Sequence, residues 1–255
     1  MSETTENKLT LLGVILETFK TVVLAVLIAF VLRTFLFQPF HIPSGSMEPT
    51  LYKGDYIITT KYSLGYGKYA ATPFVLPLNE SRLIEKQPQR GDIIVFKVDG
   101  KKDHVIKRLI GLPGDQVQMI DGKLHLNGSK QHTIKVADDT QGSTAENLIR
   151  TSKYKETVAG SKNAHLILDI LLGSEADNTD VFVVPDGHYF FMGDNRDNSA
   201  DSRLSVKLDG VGFVPATNLV GRAEFVLLAV NDEFKLTKPW TWGNIRGERL
   251  FKGLR

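Results

Sequence analysis

GDIIVFKVDGKKDHVIKRLIGLPGDQVQMIDGKLHLNG, Gly91 to Gly128, is the stretch on which the fold turns. Four short runs inside it, Ile93–Lys97, Val105–Ile110, Val117–Ile120 and Lys123–Leu126, are rich in β-branched and apolar residues and have the length of strands. Glycine, proline and aspartate part them, and Asp121-Gly122 between the last two is a hairpin-turn dipeptide. Tyr56–Thr60, Val181–Val184, His188–Met192 and Glu224–Val230 share that composition, and Asp186-Gly187 after Pro185 adds a weaker turn signal. Many short strands separated by turns predict a mainly β chain, an antiparallel β-rich domain. Residues Ser129 to Asp180 are more polar and less regular, with one strand-like run at His165–Leu171, and read as an excursion inserted into that domain.

Upstream the chain changes character. Thr21–Leu32 reads TVVLAVLIAFVL, and the apolar run extends back through Leu11–Leu16 and forward through Phe35–Phe37, broken only by Glu17, Lys20 and Arg33. Val14 to about Phe37 supplies the roughly 20 apolar residues a bilayer-crossing helix needs. Glu17 and Lys20, three apart, can pair on one face while Lys20 snorkels. A cleavable signal peptide wants a basic start and small residues before the cut, whereas this chain starts MSETTENK and leaves the run at Phe35-Leu36-Phe37-Gln38-Pro39. Residues 1–37 therefore read as a tail and one uncleaved transmembrane anchor, and residues 38–255 as the β-rich domain with its excursion at about 129–180. Lys8 and Lys20 on one side against Arg33 and Lys53 on the other leave orientation undecided by charge.

Composition removes several functions. With 31 Lys plus Arg against 29 Asp plus Glu, a net charge of +2 provides no basic field for nucleic acid, so no nucleic-acid partner is expected. Zero cysteines exclude disulfides, Cys-ligated zinc, iron–sulfur clusters and a thiol nucleophile. The six histidines lack paired metal-ligand spacing.

What chemistry remains lies in three segments. Ile42-Pro43-Ser44-Gly45-Ser46-Met47-Glu48-Pro49-Thr50-Leu51 begins a few residues beyond the predicted membrane edge. Its glycine permits close backbone approach and its prolines stiffen the flanks, as a serine nucleophile with oxyanion donors requires; the same pattern also makes a plain turn. A serine needs a base. His41, five residues before Ser46, His104 and Lys107 are the candidates. Alternation sets Lys107 on one strand face with Val105 and Leu109, and Arg108 on the other with Ile106 and Ile110. Buried among apolar neighbours, such a lysine loses its proton readily and can act as a base; on an edge strand it is an ordinary solvated lysine. The third segment, Gly193-Asp194-Asn195-Arg196-Asp197-Asn198-Ser199-Ala200-Asp201-Ser202-Arg203, reads either as a solvated calcium-type loop lacking the closing Glu or as a buried polar brace.

Together and in order, the anchor, PSGSMEPTL, Gly54–Ile58 (GDYII), Arg90–Phe96 (RGDIIVF), Ile106–Asp115 (IKRLIGLPGD) and Gly193–Arg203 (GDNRDNSADSR) resemble bacterial type I signal peptidase. The likeness covers about residues 38 to 225, with Ser129–Asp180 poorly matched. It implies a membrane-bound serine endopeptidase that removes signal peptides from secreted preproteins, needs no cofactor and no metal, and works on the outer side of the cytoplasmic membrane. By motif position Ser46 is the nucleophile and Lys107 the general base. The resemblance implies further that Ser44 and the Ser46 N–H form the oxyanion hole, that Ser199 orients Lys107, and that Asp201 and Arg203 pair beneath the site. Phe40, Ile42, Met47, Leu51, Val105 and Ile106 fall where the family lines pockets for small residues at the first and third positions before the cut. Val105 departs from the Tyr often found there.

Two other readings fit the same features: an anchored serine–lysine protease acting on itself or a regulator, and a non-enzymatic envelope-binding β domain with Ser46 in a structural turn. Near the C-terminus, Trp240 and Trp242 followed by Arg246, Arg249, Lys252 and Arg255 suit either a membrane interface against the lipid bilayer or a segment packed on the domain with a solvated basic end.

Overall fold

The computed structural model describes residues 11–78, 81–141, 149–170, 175–231, 233–235 and 237–254; Lys8, Leu171 and Arg255 lie outside the described residues. Helix α1, Leu11–Val31, is apolar all round and runs into a π turn, Leu32–Leu36. Gly13–Leu36 is 24 residues long and apolar enough to cross a membrane. At about 1.5 Å per residue it outreaches a hydrocarbon core of about 30 Å. Glu17 and Lys20 form the expected pair at 2.9 Å. Pro39 ends the helical region, because it lacks an N–H and forces Gln38 into extended backbone.

Among the described residues fourteen strands follow: β1 Phe37–His41, β2 Asp55–Thr60, β3 Ile93–Lys97, β4 His104–Gly111, β5 Gln116–Ile120, β6 Lys123–Leu126, β7 Ser129–Lys130, β8 His132–Gln141, β9 Ile149–Thr157, β10 His165–Ile170, β11 Phe182–Val183, β12 His188–Met192, β13 Val214–Pro215 and β14 Leu219–Ala229. They build a seven-stranded sheet in the order β1-β2-β14-β3-β4-β12-β13, a four-stranded sheet β11-β5-β6-β7 and a three-stranded sheet β10-β9-β8. Every strand pairing in these sheets is antiparallel. The residues expected to close the anchor reach only to Leu36; Phe37 already pairs with Thr60 in the sheet. Pro39 sits in the edge strand β1, where a missing donor does least harm.

The main sheet is buried on both faces, which is why its strands read as unbroken apolar runs. Along β3, Ile93 and Val95 enter one cluster with Ile42, Met47, Leu51 and Val226, while Ile94 and Phe96 enter another with Leu109, Phe191 and Val214. Strand β12 repeats the device, sending Tyr189 and Phe191 to the second cluster and Phe190 and Met192 to a third under the small sheet. At Asp121-Gly122 both φ angles are positive, 48° and 68°, as a tight β5–β6 hairpin requires.

Strands β8 and β9 were not expected inside the polar excursion. The reason is visible in β9, whose inward positions include Ser152 and Glu156, both fully buried, while Lys155 and Thr157 face outward. A strand whose buried face is polar has no hydrophobic alternation to read.

Candidate active site

Strand β4 lies between β3 and β12, so Lys107 is interior and the solvated edge-strand reading of it is overturned. Only 5% of Lys107 is exposed, and its Nζ donates to Ser46 Oγ at 2.6 Å. Burial pushes the amine down from 10.5 to about 8, although the Asp201 and Asp194 charges pull partly the other way. The two residues stand 61 positions apart in sequence. Neither histidine candidate holds the Ser46 hydroxyl: His41 is exposed against Tyr56, and His104 packs on the Phe40 ring.

Ser46 rides on a segment pinned at several points. Ile42 N–H donates to the Asp55 carbonyl at 2.8 Å, and Gly54 N–H returns to the Ile42 carbonyl at 2.9 Å. Thr50 and Leu51 N–H groups both donate to the Met47 carbonyl at 2.9 Å, closing a tight turn immediately after the serine. Ser44 is exposed, with its Oγ 3.4 Å from Ser46 Oγ.

The Gly193–Arg203 segment is a buried brace rather than a solvated loop. Asn195 clamps the serine segment with both its donors: the backbone N–H to the Ser46 carbonyl and the side-chain amide to the Gly45 carbonyl, each at 3.2 Å. Asp194 receives both arms of Arg108, at 2.7 and 2.6 Å, and the Thr50 hydroxyl at 2.5 Å. Burial works against the Asp194 carboxylate, but the Arg108 charge outweighs it and keeps its pKa low. Asp201 receives Arg203 Nε and Nη2, each at 2.9 Å, and the Gly193 N–H at 2.9 Å. Gly193 has no room for a side chain, since a Cβ there stands 2.5 Å from both Ser199 Cβ and the Ser46 carbonyl oxygen. Asn195, Asp194, Arg108 and Thr50 were given no role from the sequence, although all four lie inside the quoted motifs.

The Ser199 side chain lies against Gly193 and helps hold the Asp201 carboxylate low, while Lys107 Nζ donates to Ser46. Of the expected pocket residues, Met47 and Leu51 are 0% exposed and Ile42 is buried with them in the first core cluster, so they form a floor. Phe40, Val105 and Ile106 are half-buried and are the accessible apolar members.

The excursion reaches this site. Leu168 of β10 donates its N–H to the Asp194 carbonyl at 2.8 Å and accepts that of Arg196 at 2.9 Å. Arg196 makes a two-pronged pair with Glu156 of β9, 2.9 Å at Nη1, and His165 Nε2 lies 3.3 Å from the same carboxylate. Burial pushes Glu156 up, yet the Arg196 charge and His165 outweigh it and hold the group at about 2. Asp169, Asp177 and Asp197 bring carboxylate oxygens within 4.8 Å of one another on the outer side of this junction. A cleft of about 270 Å³ opens behind it, lined by Pro49, Thr50, Arg90, Arg108, His165 and Arg222, and reached by neither Ser46 nor Lys107.

At the C-terminal end, Arg249 is buried and donates to Asp55 at 3.2 and 2.5 Å and to the Thr50 carbonyl at 3.0 Å. Arg246 adds a contact to Asp55 at 3.3 Å. These arginines fasten the segment to the domain and are not a solvated basic end, whereas Trp240 remains 78% exposed.

The model of the family described as signal peptidase, peptidase S26, matches residues 15–228. Signal peptidase I of Rickettsia typhi is 37% identical over 257 residues, covering 93% of each chain. That of Rickettsia akari is 37% identical over 245 residues, 89% of this chain and 88% of its own. A crystal structure of a signal peptidase I from Enterococcus faecalis is 34% identical, covering 54% of this chain and 97% of its own, with a TM-score of 0.30. A match over most of the chain, from the apolar helix through β14, places the chain in the signal peptidase family, peptidase S26, and makes it a serine endopeptidase.

Proposed function

We propose that this chain is a bilayer-anchored endopeptidase that removes signal peptides from secreted preproteins with Ser46 as nucleophile and Lys107 as general base. The observation that carries the reading is the 2.6 Å contact to the serine hydroxyl from a buried lysine whose pKa burial lowers to about 8. Neutral Lys107 takes the Ser46 proton as Oγ attacks the scissile carbonyl. The oxyanion is met by the Ser44 hydroxyl and the Ser46 N–H. Lys107, now an ammonium, gives its proton to the leaving amine, and a water activated by the same amine then frees the acyl group from Ser46. Asp201 and Arg203 hold the loop beneath the lysine, and Asn195 holds the serine carbonyl, so the donor and nucleophile enter the reaction already oriented.

Phe40 and Ile106, packed on the Ile42, Met47 and Leu51 floor, form the accessible wall of a shallow apolar site, with Val105 beside them on the other face of β4, suited to small side chains at the first and third positions before the cut. Residues 1–37 serve as the anchor in the cytoplasmic membrane and residues 38–255 as the catalytic domain on its outer face, where preproteins emerge. Tethering enzyme and substrate to one surface raises their effective concentration. Cleavage of a model preprotein tests the assignment: Ser46→Ala and Lys107→Ala each abolish it while the protein stays folded. Cleavage that survives Lys107→Ala but is lost in His41→Ala overturns the dyad.

A further inference from the structure

The last turn of a helix leaves carbonyls without intrahelical partners, and its end carries partial negative charge. At the end of the anchor three consecutive carbonyls are taken up by one short segment of the catalytic domain. Lys61 Nζ donates to the Thr34 carbonyl at 3.0 Å, the Tyr66 hydroxyl to that of Phe35 at 2.7 Å, and the Lys61 N–H to that of Leu36 at 3.0 Å. Edge-to-face ring contacts flank the cap, Phe35 on Tyr66 at 6.3 Å and Phe37 on Tyr62 at 5.9 Å. Lys61 is 0% exposed and Thr34 is buried beneath it, so the amine is committed to this joint. The proposed cleavage does not use it.

The joint is rigidly wired to the nucleophile in two directions. Lys61 directly follows β2, whose neighbours in the sheet lead through β14 and β3 to β4 and Lys107. Leu36 directly precedes β1, which runs into the pinned Ile42–Leu51 segment carrying Ser46. A rotation of the anchor about this point therefore moves Ser46 as a body relative to the membrane plane.

We propose that Lys61 is a positioning residue that fixes the angle between the anchor and the main sheet, and with it the height of Ser46 above the bilayer, for substrates whose signal segment is already inserted. This rests on the proposed function, a bilayer-anchored enzyme acting on a bilayer-anchored substrate. For such a pair the approach geometry is set by the two anchors, so a loosened joint costs reactive encounters; a free peptide in water can adjust to any enzyme orientation.

The test uses the full chain in phospholipid vesicles with two substrates: a preprotein inserted in the same vesicles and a short soluble peptide spanning its cleavage site. Lys61→Met lowers the cleavage rate of the inserted preprotein about tenfold, the effect expected for losing one charge-assisted hydrogen bond at a joint, and leaves kcat/KM for the peptide within about twofold. Tyr66→Phe, which keeps the ring and removes one donor, moves the same ratio in the same direction by about threefold. Peptide turnover doubles as the proof of folding. Equal losses on both substrates, or no change on either in both variants, overturn the inference. Wild type inert toward both substrates instead overturns the proposed function and carries this inference with it.

Discussion

Lys107→Met should make the protein more stable while destroying its activity, and the gain should vanish as the pH rises. Burial holds the amine at about 8 against an ordinary 10.5. At about 1.4 kcal/mol per pH unit, carrying the charged amine in the native state costs about 3 kcal/mol. The sign follows from proton counts. Between about pH 8 and 10.5 the unfolded chain holds the lysine proton and the native chain does not, so wild-type stability climbs through that window. Below about 8 both states are protonated and the whole cost is present. Methionine has nearly the same length, carries no charge and fits an apolar wall, but it forfeits the hydrogen bond to Ser46, worth about 1 kcal/mol. The net expectation is a gain of about 2 kcal/mol at pH 6.5 that falls to about zero or slightly below near pH 10.5. Unfolding of wild type and variant by heat or denaturant in the same detergent micelles, at both pH values, reads this directly. The activity side is measured in parallel: wild-type kcat/KM rises with pH and levels off above about 8, where the base is neutral. A variant less stable than wild type at pH 6.5, or one displaced equally at both pH values, would falsify the claim that burial lowers the pKa of Lys107.

Glu156→Gln breaks the buried pair with Arg196 and should cost about 3 kcal/mol at pH 7. Because the native carboxylate sits at about 2 and its ordinary value is 4.5, that contribution is complete above about 4.5 and fades as pH falls toward 2. Unfolding curves of the two proteins should therefore converge in acid, and parallel curves across that range refute the assignment. Gly193→Ala drives a methyl against the Ser46 carbonyl oxygen and the Ser199 side chain, and should cost about 1–3 kcal/mol together with most of the preprotein cleavage; wild-type activity in this variant refutes the close packing. Arg203→Met removes a cation that lowers Lys107 and frees Asp201, which raises it, so the pH–rate curve should move upward from about 8. A profile that stays in place shows that Asp201 is not felt at Lys107.

How much of this was legible in the sequence depends on what buried each strand. Ile93–Lys97 and His188–Met192 could be read because apolar side chains cover both faces of the main sheet. Strand β9 could not, since Ser152 and Glu156 occupy its inner face and Arg196, the partner of Glu156, comes from a distant part of the chain. The β-type run around Lys107 was plain, but its interior place in the sheet was not, because strand order between β3 and β12 is a long-range fact that no local pattern carries. Ser46 and Lys107 came from motifs. The role of Asn195 did not, since a clamp on two backbone carbonyls leaves no signature in the side chains it holds.

The burial that lowers Lys107, and on the proposed dyad makes it a base, also bears on the arginines around it. An amine in an apolar site loses its proton only if no free carboxylate stabilises the charge, and Asp194 and Asp201 both act on Lys107 in that direction. Each carboxylate is instead saturated by an arginine in two-pronged geometry, Asp194 by Arg108 and Asp201 by Arg203. Arginine suits this task because it stays charged and its planar fork matches a carboxylate, so the Arg203 cation offsets part of the upward pull of Asp201 on the lysine. Buried pairs of this kind add little net stability over apolar packing. Their value lies in what they allow next to them. The same acids donate order to the loop, through Thr50 on Asp194 and the Gly193 N–H on Asp201, and Asn195 between them passes that order to the Ser46 carbonyl. A histidine base would need no such neutralised surroundings, since its ordinary pKa already lies near neutrality. On the proposed dyad, the arginine–carboxylate pairs anchored on Gly193–Arg203 are the surroundings that serine chemistry run on a lysine calls for.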